Sequence, residues 1–164
     1  MVPSAGVIKN HPSAPMLNNW GMMPFVSYFL GEEAVPYDPP RASSIQKCVR
    51  AGGKHNDLDA IGRSTRHLSF FEMAGNFSFG DYFKAEMIPW AWEFVTSSVG
   101  EGGLGVDGDR IWATVHTTDD EAEAIWADVV GLPRQRIQRM GTYNFWEMGE
   151  TGPCGPSSEL FFDF

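Results

Sequence analysis

Cysteine is nearly missing from this chain: 164 residues contain only Cys48 and Cys154. Two so far apart exclude a disulfide framework and a four-ligand zinc site, so both are expected as reduced thiols. No apolar run approaches the length of about 18 residues that a membrane-spanning helix needs. Positive charge is also scarce, with 12 Lys+Arg against 21 Asp+Glu and a net charge of −9. Bulk attraction to nucleic acid works by neutralising phosphates with many cations, so any anion bound here must be gripped locally. The opening MVPSAGVIKNHPSAP lacks a basic leader with an apolar core and lacks an Arg-rich amphipathic pattern, so the expected address is cytoplasmic. What is present, 43% hydrophobic and 13% aromatic residues, is enough for the core of an ordinary folded domain.

Proline and glycine crowd the first forty residues, where MLNNWGMMPFVSYFLG predicts an irregular, partly buried segment rather than a long helix. In SIQKCVRA, alternation puts Ile45, Lys47 and Val49 on one side and Gln46, Cys48 and Arg50 on the other, as in a strand. A polar loop with Gly52, Gly53, Asn56, Asp57 and Gly62 leads to LSFFEMAGNFSF, a second extended stretch, and the pair implies an antiparallel hairpin. Asp81 to Ser98 suits a helix that Pro89 should kink or restart. RIWATVH reads as a strand. Thr118 and Glu121 then form a capping box opening DDEAEAIWADVV, which Gly131 and Pro133 end. A short basic segment, PRQRIQRM, precedes NFWEMGETGPCGPSSE and a final strand ELFFDF. The order of elements predicts an α+β fold, an antiparallel sheet flanked by helices.

Gly100-Glu101-Gly102-Gly103-Leu104-Gly105 matches a dinucleotide-binding fingerprint letter for letter, but it follows a helix where the fingerprint must follow a strand, so it is read as a turn. Gly52-Gly53-Lys54 lacks the first glycine and the hydroxyl residue of a P-loop. The informative cluster is CVRAGGKHNDLDAIGRSTRH, which concentrates Arg50, Lys54, His55, Arg63, Arg66 and His67 in an acidic chain. Arg50 ends one strand beside two glycines, and Arg66 and His67 begin the return, so both arms can present cations to one space. A guanidinium fork suits a polyphosphate, glycine permits close backbone approach, and one of Phe70 and Phe71 could stack on a base. The residues alone leave two readings open: a nucleotide triphosphate site, or a structural loop carrying charges of both signs.

The run KCVRAGGKHNDLDAIGRSTRHLSFFEMAGNFSFGDYFKAE resembles motif 2 and its continuation in the alanyl-tRNA synthetases, which are class II aminoacyl-tRNA synthetases. NFWEMGETGPCGPSSELFFD is similar to a later catalytic segment of that family. Weaker likeness covers NNWGMMPFVSYFLGEE and RIWATVHTTDDEAEAIW. The resemblance implies ATP and Mg²⁺ as cofactors and alanine and tRNA(Ala) as substrates. Arg50 would bind the α-phosphate and act in catalysis, and Arg66 and His67 would reach the outer phosphates. Phe71 would lie against adenine, with the backbone near Met73 reading its edge. Lys54, His55, Asn56 and Asp57 would belong to the motif 2 loop, and Trp146 would wall the alanine pocket. No metal-ligand set is assigned. Glu159, at the entry to the final strand, is the one acidic residue there that could contribute to a metal site, and Ser157 stands where many relatives have cysteine.

The same comparison implies a partial catalytic domain over residues 1–164, with the motif 2 region at about 41–83. The first helix, motif 3, the tRNA-recognition region and the editing domain are expected to lie outside it. Two functions are therefore carried forward: part of an alanine-activating enzyme, or a shortened relative that holds ATP or a partner without turnover. No membrane association is expected, and oligomeric state is not assigned.

Overall fold

A computed structural model describes residues 1–8, 17–51 and 57–164. The chain divides into two compact units, Met1–Asp81 and Tyr82–Phe164.

The first unit is built on two long strands, β1 (Arg41–Val49) and β2 (Phe70–Ser78), paired antiparallel from Arg41↔Ser78 to Val49↔Phe70. The expected alternation holds. Ala42, Ser44, Gln46 and Cys48 are buried while the intervening residues are exposed or half-buried. The covered face is thus unusually polar for a strand interior, and Gln46 shows how that is tolerated. Its Oε1 accepts from the Ala5 N–H at 2.9 Å, and its Nε2 donates to the Ala5 carbonyl at 3.1 Å and the Lys47 carbonyl at 2.8 Å. A side-chain amide thereby presents the donor and acceptor of a backbone unit to the N-terminal segment, so the group is buried without being orphaned. Among its described residues the N-terminal region is irregular, with one 3₁₀ turn (Met23–Phe25) running into a single helical turn, α1 (Val26–Phe29). Phe25 seals this face, its ring centroid 4.5 Å from that of Phe77.

In the second unit, α2 (Lys84–Thr96) runs through Pro89 without a break. The expected restart fails for a local reason. Proline removes the donor to the carbonyl of Ala85, and Ala85 is exposed, so water can satisfy that oxygen. The turn after α2 accounts for the glycine-rich run. Gly102 takes a φ of +91°, and a Cβ at Gly103 would stand 2.2 Å from the Ser97 carbonyl oxygen. No other residue fits that contact.

The sheet expectation needs correction. Among the described residues there are three sheets, and one is mixed. β3 (Ile111–His116) pairs in parallel with β4 (Ile137–Met140) and antiparallel with β7 (Ser158–Phe162). β5 (Phe145–Glu147) and β6 (Cys154–Pro156) form a small hairpin. β4 lay hidden in the basic segment because its arginines mask its strand character. Arg134 pairs with Asp128 at 2.9 Å, Arg136 donates to the Gly108 carbonyl at 2.7 Å, and Arg139 pairs with Asp120 at 2.6 Å.

The capping residue is also one place later than expected. Helix α3 (Asp120–Ala124), extended by a wider turn over Ile125–Val129, is capped by Asp119, whose carboxylate accepts from the Ala122 N–H at 3.1 Å. Thr118 is instead 2.9 Å from Nδ1 of His116, and the ionised carboxylate is the stronger acceptor. Asp119 also receives Lys84 Nζ of α2 at 2.7 Å. Strand β3 is buried on both faces. Ala113 and Val115 join Ile88, Ile125, Trp126 and Ile137 in the core, while Thr114 faces the opposite side. No helix among the described residues is long and apolar enough to cross a membrane.

The Asp119 carboxyl is held below the ordinary aspartate value of 3.8. Burial opposes this most, but it is outweighed by the Lys84 and Ala122 hydrogen bonds and the Lys84 and His116 charges together. A folded value below the unfolded one contributes stability above the unfolded value, and that stability is lost as pH falls toward the folded one. The thermal midpoint should therefore drop on acidification below about pH 4, and Asp119→Asn should lack that component. Asp119→Ala, which also removes the cap, should cost about 1–2 kcal/mol at neutral pH. Thermal denaturation of both variants across pH 3 to 7 checks this, and identical acid limbs would refute it.

Candidate functional site

Arg50 continues the covered side of β1 one step past its end, where its N–H donates to the Ser69 carbonyl at 2.9 Å. The alternation that buries Gln46 and Cys48 carries the Arg50 side chain to the same side as Phe71, the cross-strand partner of Cys48. The guanidinium carbon lies 5.1 Å from the Phe71 ring centroid, within cation–π range. Nε donates to Asp57 Oδ2 at 2.7 Å, and both side chains are largely shielded, 23% and 18% exposed. Asp57, assigned only to a loop by the sequence, is thus the counter-ion that orients the arginine. A guanidinium has four N–H donors besides Nε–H.

The returning arm begins with a tight turn in which Ala60 and Ile61 both donate to the Asp57 carbonyl, at 2.9 and 3.0 Å. Further along, Ser64 organises the next residues: its Oγ accepts from the Arg66 N–H at 3.1 Å and lies 3.0 Å from His67 Nδ1. Arg66 is exposed and His67 half-buried. The structure brings Arg50, Asp57 and Phe71 together and places Arg66 and His67 on the arm that returns to β2. Lys54, His55 and Asn56 lie outside the described residues.

Met73 pairs with Gln46 within the ladder, and its sulfur accepts from the Gly21 N–H at 3.1 Å. The N–H of Val49 bonds outward to the Asn18 carbonyl at 2.9 Å while that of Arg50 bonds inward to Ser69. Antiparallel pairs alternate in this way, so Met73 turns its backbone groups toward β1, and Glu72 and Ala74 turn theirs to the outer edge of β2. Among the described residues no strand pairs with that edge.

Trp146 belongs to the second unit. It is half-buried in β5, directly opposite Gly155 of β6. Opposed residues share a face, yet a Cβ built at Gly155 would meet nothing within 4 Å. No atom of the indole therefore lies within 4 Å of that point, and the space over Gly155 is open. Sequence reasoning passed over Gly155, although a lone glycine inside a strand is a recognised mark of close approach by something else. Glu159 is exposed on β7, with Ser157 Oγ 3.5 Å from its Oε1. Among the described residues no group of three His, Cys, Asp or Glu gathers to hold a metal. A nucleotide-bound Mg²⁺ is commonly held by one or two carboxylates together with the phosphates and needs no such group.

Chemically, the first unit offers a fixed cation against an aromatic ring beside an open strand edge. The second offers a half-buried indole with open space over the glycine opposite it. The family described as tRNA synthetases class II (A) matches residues 1–164. The chain is 56% identical to the alanine–tRNA ligase of Thermobifida fusca over 99% of its own length and 18% of that protein. Those of Chromohalobacter salexigens and Mycobacterium avium are 52% and 54% identical, again over 99% of this chain and 18% and 17% of theirs. The chain belongs to the class II tRNA synthetase family, and it spans about a fifth of the length of these relatives.

Cys48 reports on the integrity of the covered face. Burial pushes its thiol up, and the nearby Arg50 charge acts in the opposite direction. Cys154 is exposed. With a disulfide reagent at pH 8 the native protein should show one fast thiol, abolished by Cys154→Ser, and Cys48 should react only after denaturation. A fast second thiol would mean that the N-terminal segment does not cover β1.

Proposed function

We propose that this chain carries the ATP- and alanine-binding part of an alanine–tRNA ligase catalytic domain. The observation that carries the reading is Arg50, oriented by Asp57 and lying against Phe71 at the end of β1. In the reaction the alanine carboxylate attacks the α-phosphorus of ATP. A carboxylate oxygen–phosphorus bond forms, the bond to the β-phosphate breaks, and pyrophosphate leaves with alanyl-adenylate remaining. The carboxylate is already ionised at neutral pH, so no general base is required. Charge grows on the α-phosphate oxygens, and a guanidinium already in place stabilises it without reorganising. In the complete reaction the alanyl group then passes to tRNA(Ala).

Arg66 and His67 would meet the outer phosphates, and Lys54 and His55, in the motif 2 loop with Asn56 and Asp57, would act near the phosphates and the acceptor end of tRNA. Adenine would rest against Phe71, with its polar edge at the open backbone of β2 near Met73. Mg²⁺ would neutralise phosphate charge when bound. What this chain supplies toward that end is its guanidinium groups. Trp146 would close the alanine pocket against large side chains. Rejection of glycine for one missing methyl is worth only about 1–3 kcal/mol, and an added hydroxyl is also poorly rejected, so glycine and serine errors are expected. The place of work would be the cytoplasm, where translation occurs.

Titration calorimetry of ATP into this chain tests the first unit. Arg50→Ala should weaken binding by about 1.5–3 kcal/mol, the range for a hydrogen bond to a charged group. Phe71→Ala should lose about 1–3 kcal/mol of stacking. Unchanged affinity in folded variants would refute the ATP site. Alanine-dependent exchange of pyrophosphate into ATP tests the reaction in the Thermobifida fusca enzyme carrying these residues in place of its own. ATP binding without exchange would favour the shortened, non-catalytic relative.

The same assay addresses alanine. Trp146→Ala should raise the KM for alanine far more than that for ATP. Gly155→Ala, whose methyl meets no neighbour in the free protein, should leave thermal stability unchanged and still impair alanine use if the open space opposite the indole receives the substrate. Equal effects on both substrates would contradict the pocket.

A further inference from the structure

The hairpin that carries Trp146 is fastened at a residue with no role so far. Asn144 is 1% exposed and closes the 3₁₀ turn Thr142–Asn144 immediately before β5. Its backbone is held at both ends: the N–H donates to the Gly141 carbonyl at 3.0 Å, and the carbonyl accepts from the Ser157 N–H at 2.8 Å. Its side-chain Nδ2 donates to Thr114 Oγ1 at 2.8 Å, in the middle of β3. Thr114 is itself tied down. Its carbonyl accepts from Ser158 Oγ at 2.9 Å, and that oxygen accepts from the Trp126 indole N–H at 2.7 Å.

These bonds form a continuous polar thread from the helical layer, through β7 and β3, to the residue two places before Trp146. Thr114 lies on the face of β3 opposite the apolar core, so its bond to Asn144 is a directional polar tie rather than part of that packing. The neighbouring contact is a looser one, the His116 and Phe145 rings at 5.7 Å. A buried amide whose side chain and backbone are both engaged has one allowed position, and it transmits that position to the strand it begins. Substrate pockets depend on such supporting contacts, because a displacement of about 1 Å can cost as much as a hundredfold.

We propose that Asn144 is a positioning residue for alanine recognition: its bond to Thr114 sets the placement of the Trp146 indole. The inference rests on the reading of Trp146 as the wall of the alanine pocket, and its test separates the two. The first measurement needs only this chain. In proton–nitrogen correlation spectra, the Trp146 indole signal, assigned with Trp146→Phe, should shift and broaden in Asn144→Ala, while those of Trp20 and Trp90 stay in place. Thr114→Val removes the accepting hydroxyl at nearly constant shape, and should do the same if Asn144→Ala does not fold. Thr114→Ser retains the hydroxyl and should restore the signal. An unmoved Trp146 signal in a folded Asn144→Ala or Thr114→Val variant overturns the proposal.

The second measurement is pyrophosphate exchange in the chimeric Thermobifida fusca enzyme. Both disrupting variants should raise the KM for alanine about tenfold, well inside the hundredfold limit for a displaced group, with the KM for ATP within twofold and Thr114→Ser near the parent. A residue that only supported folding would lower the active fraction and leave both KM values alone, and that result overturns the proposal. If Trp146→Ala leaves the alanine KM unchanged although Asn144→Ala moves the indole, the pocket reading has failed and takes the role in recognition with it. If Trp146→Ala raises it and Asn144→Ala does not, the proposal fails and the pocket stands.

Discussion

The alternation of β1 is the constraint on which the first unit depends. Four successive even-numbered residues, Ala42, Ser44, Gln46 and Cys48, are buried, so the next in the series, Arg50, is delivered to the covered side at the strand's end. There it meets Phe71 and Asp57. A slip of one residue in the pairing would send the arginine to the other face and bury Lys47 in place of Gln46. The polar choice at Gln46 opposes such a slip, because its amide is matched to Ala5 at both donor and acceptor. Sheet register and the placement of the cation are therefore one decision.

In the second unit β3 performs the corresponding task with two different faces. Ala113 and Val115 are packed among the apolar side chains of α2 and α3. Thr114 bonds to Asn144 on the other side and so fixes the hairpin of Trp146. Apolar burial supplies most of the stability but sets no unique position, whereas hydrogen bonds are few and directional. The glycine opposite Trp146 leaves open space on that face of the hairpin.

The class II family membership accords with this plan, and most arginines of the second unit are engaged with its own acids and carbonyls. The candidate anion site is consequently concentrated near Arg50 and the arm bearing Arg66 and His67. A net acidic chain can hold a triphosphate in this manner because a guanidinium against an aromatic ring acts through geometry and local shielding rather than through overall charge.

By itself the sequence determined the period-two strand ending in Arg50, the antiparallel return through Phe71, the turn in the glycine run and the helices, because each depends on neighbours along the chain. It also marked Arg50, Phe71 and Trp146 through long motifs. Tertiary structure alone decided the pairing of Arg50 with Asp57, the transfer of the helix cap from Thr118 to Asp119 and the parallel strand β4. It likewise decided the thread from Trp126 to Asn144. Each of these depends on groups that meet only in the folded chain: Asp119 takes the cap while bound to Lys84, and β4 forms where Ile137 comes to lie opposite Ala113 of β3. Local pattern carries no information about which distant group will arrive, and that is the physical reason these features had to be seen in three dimensions.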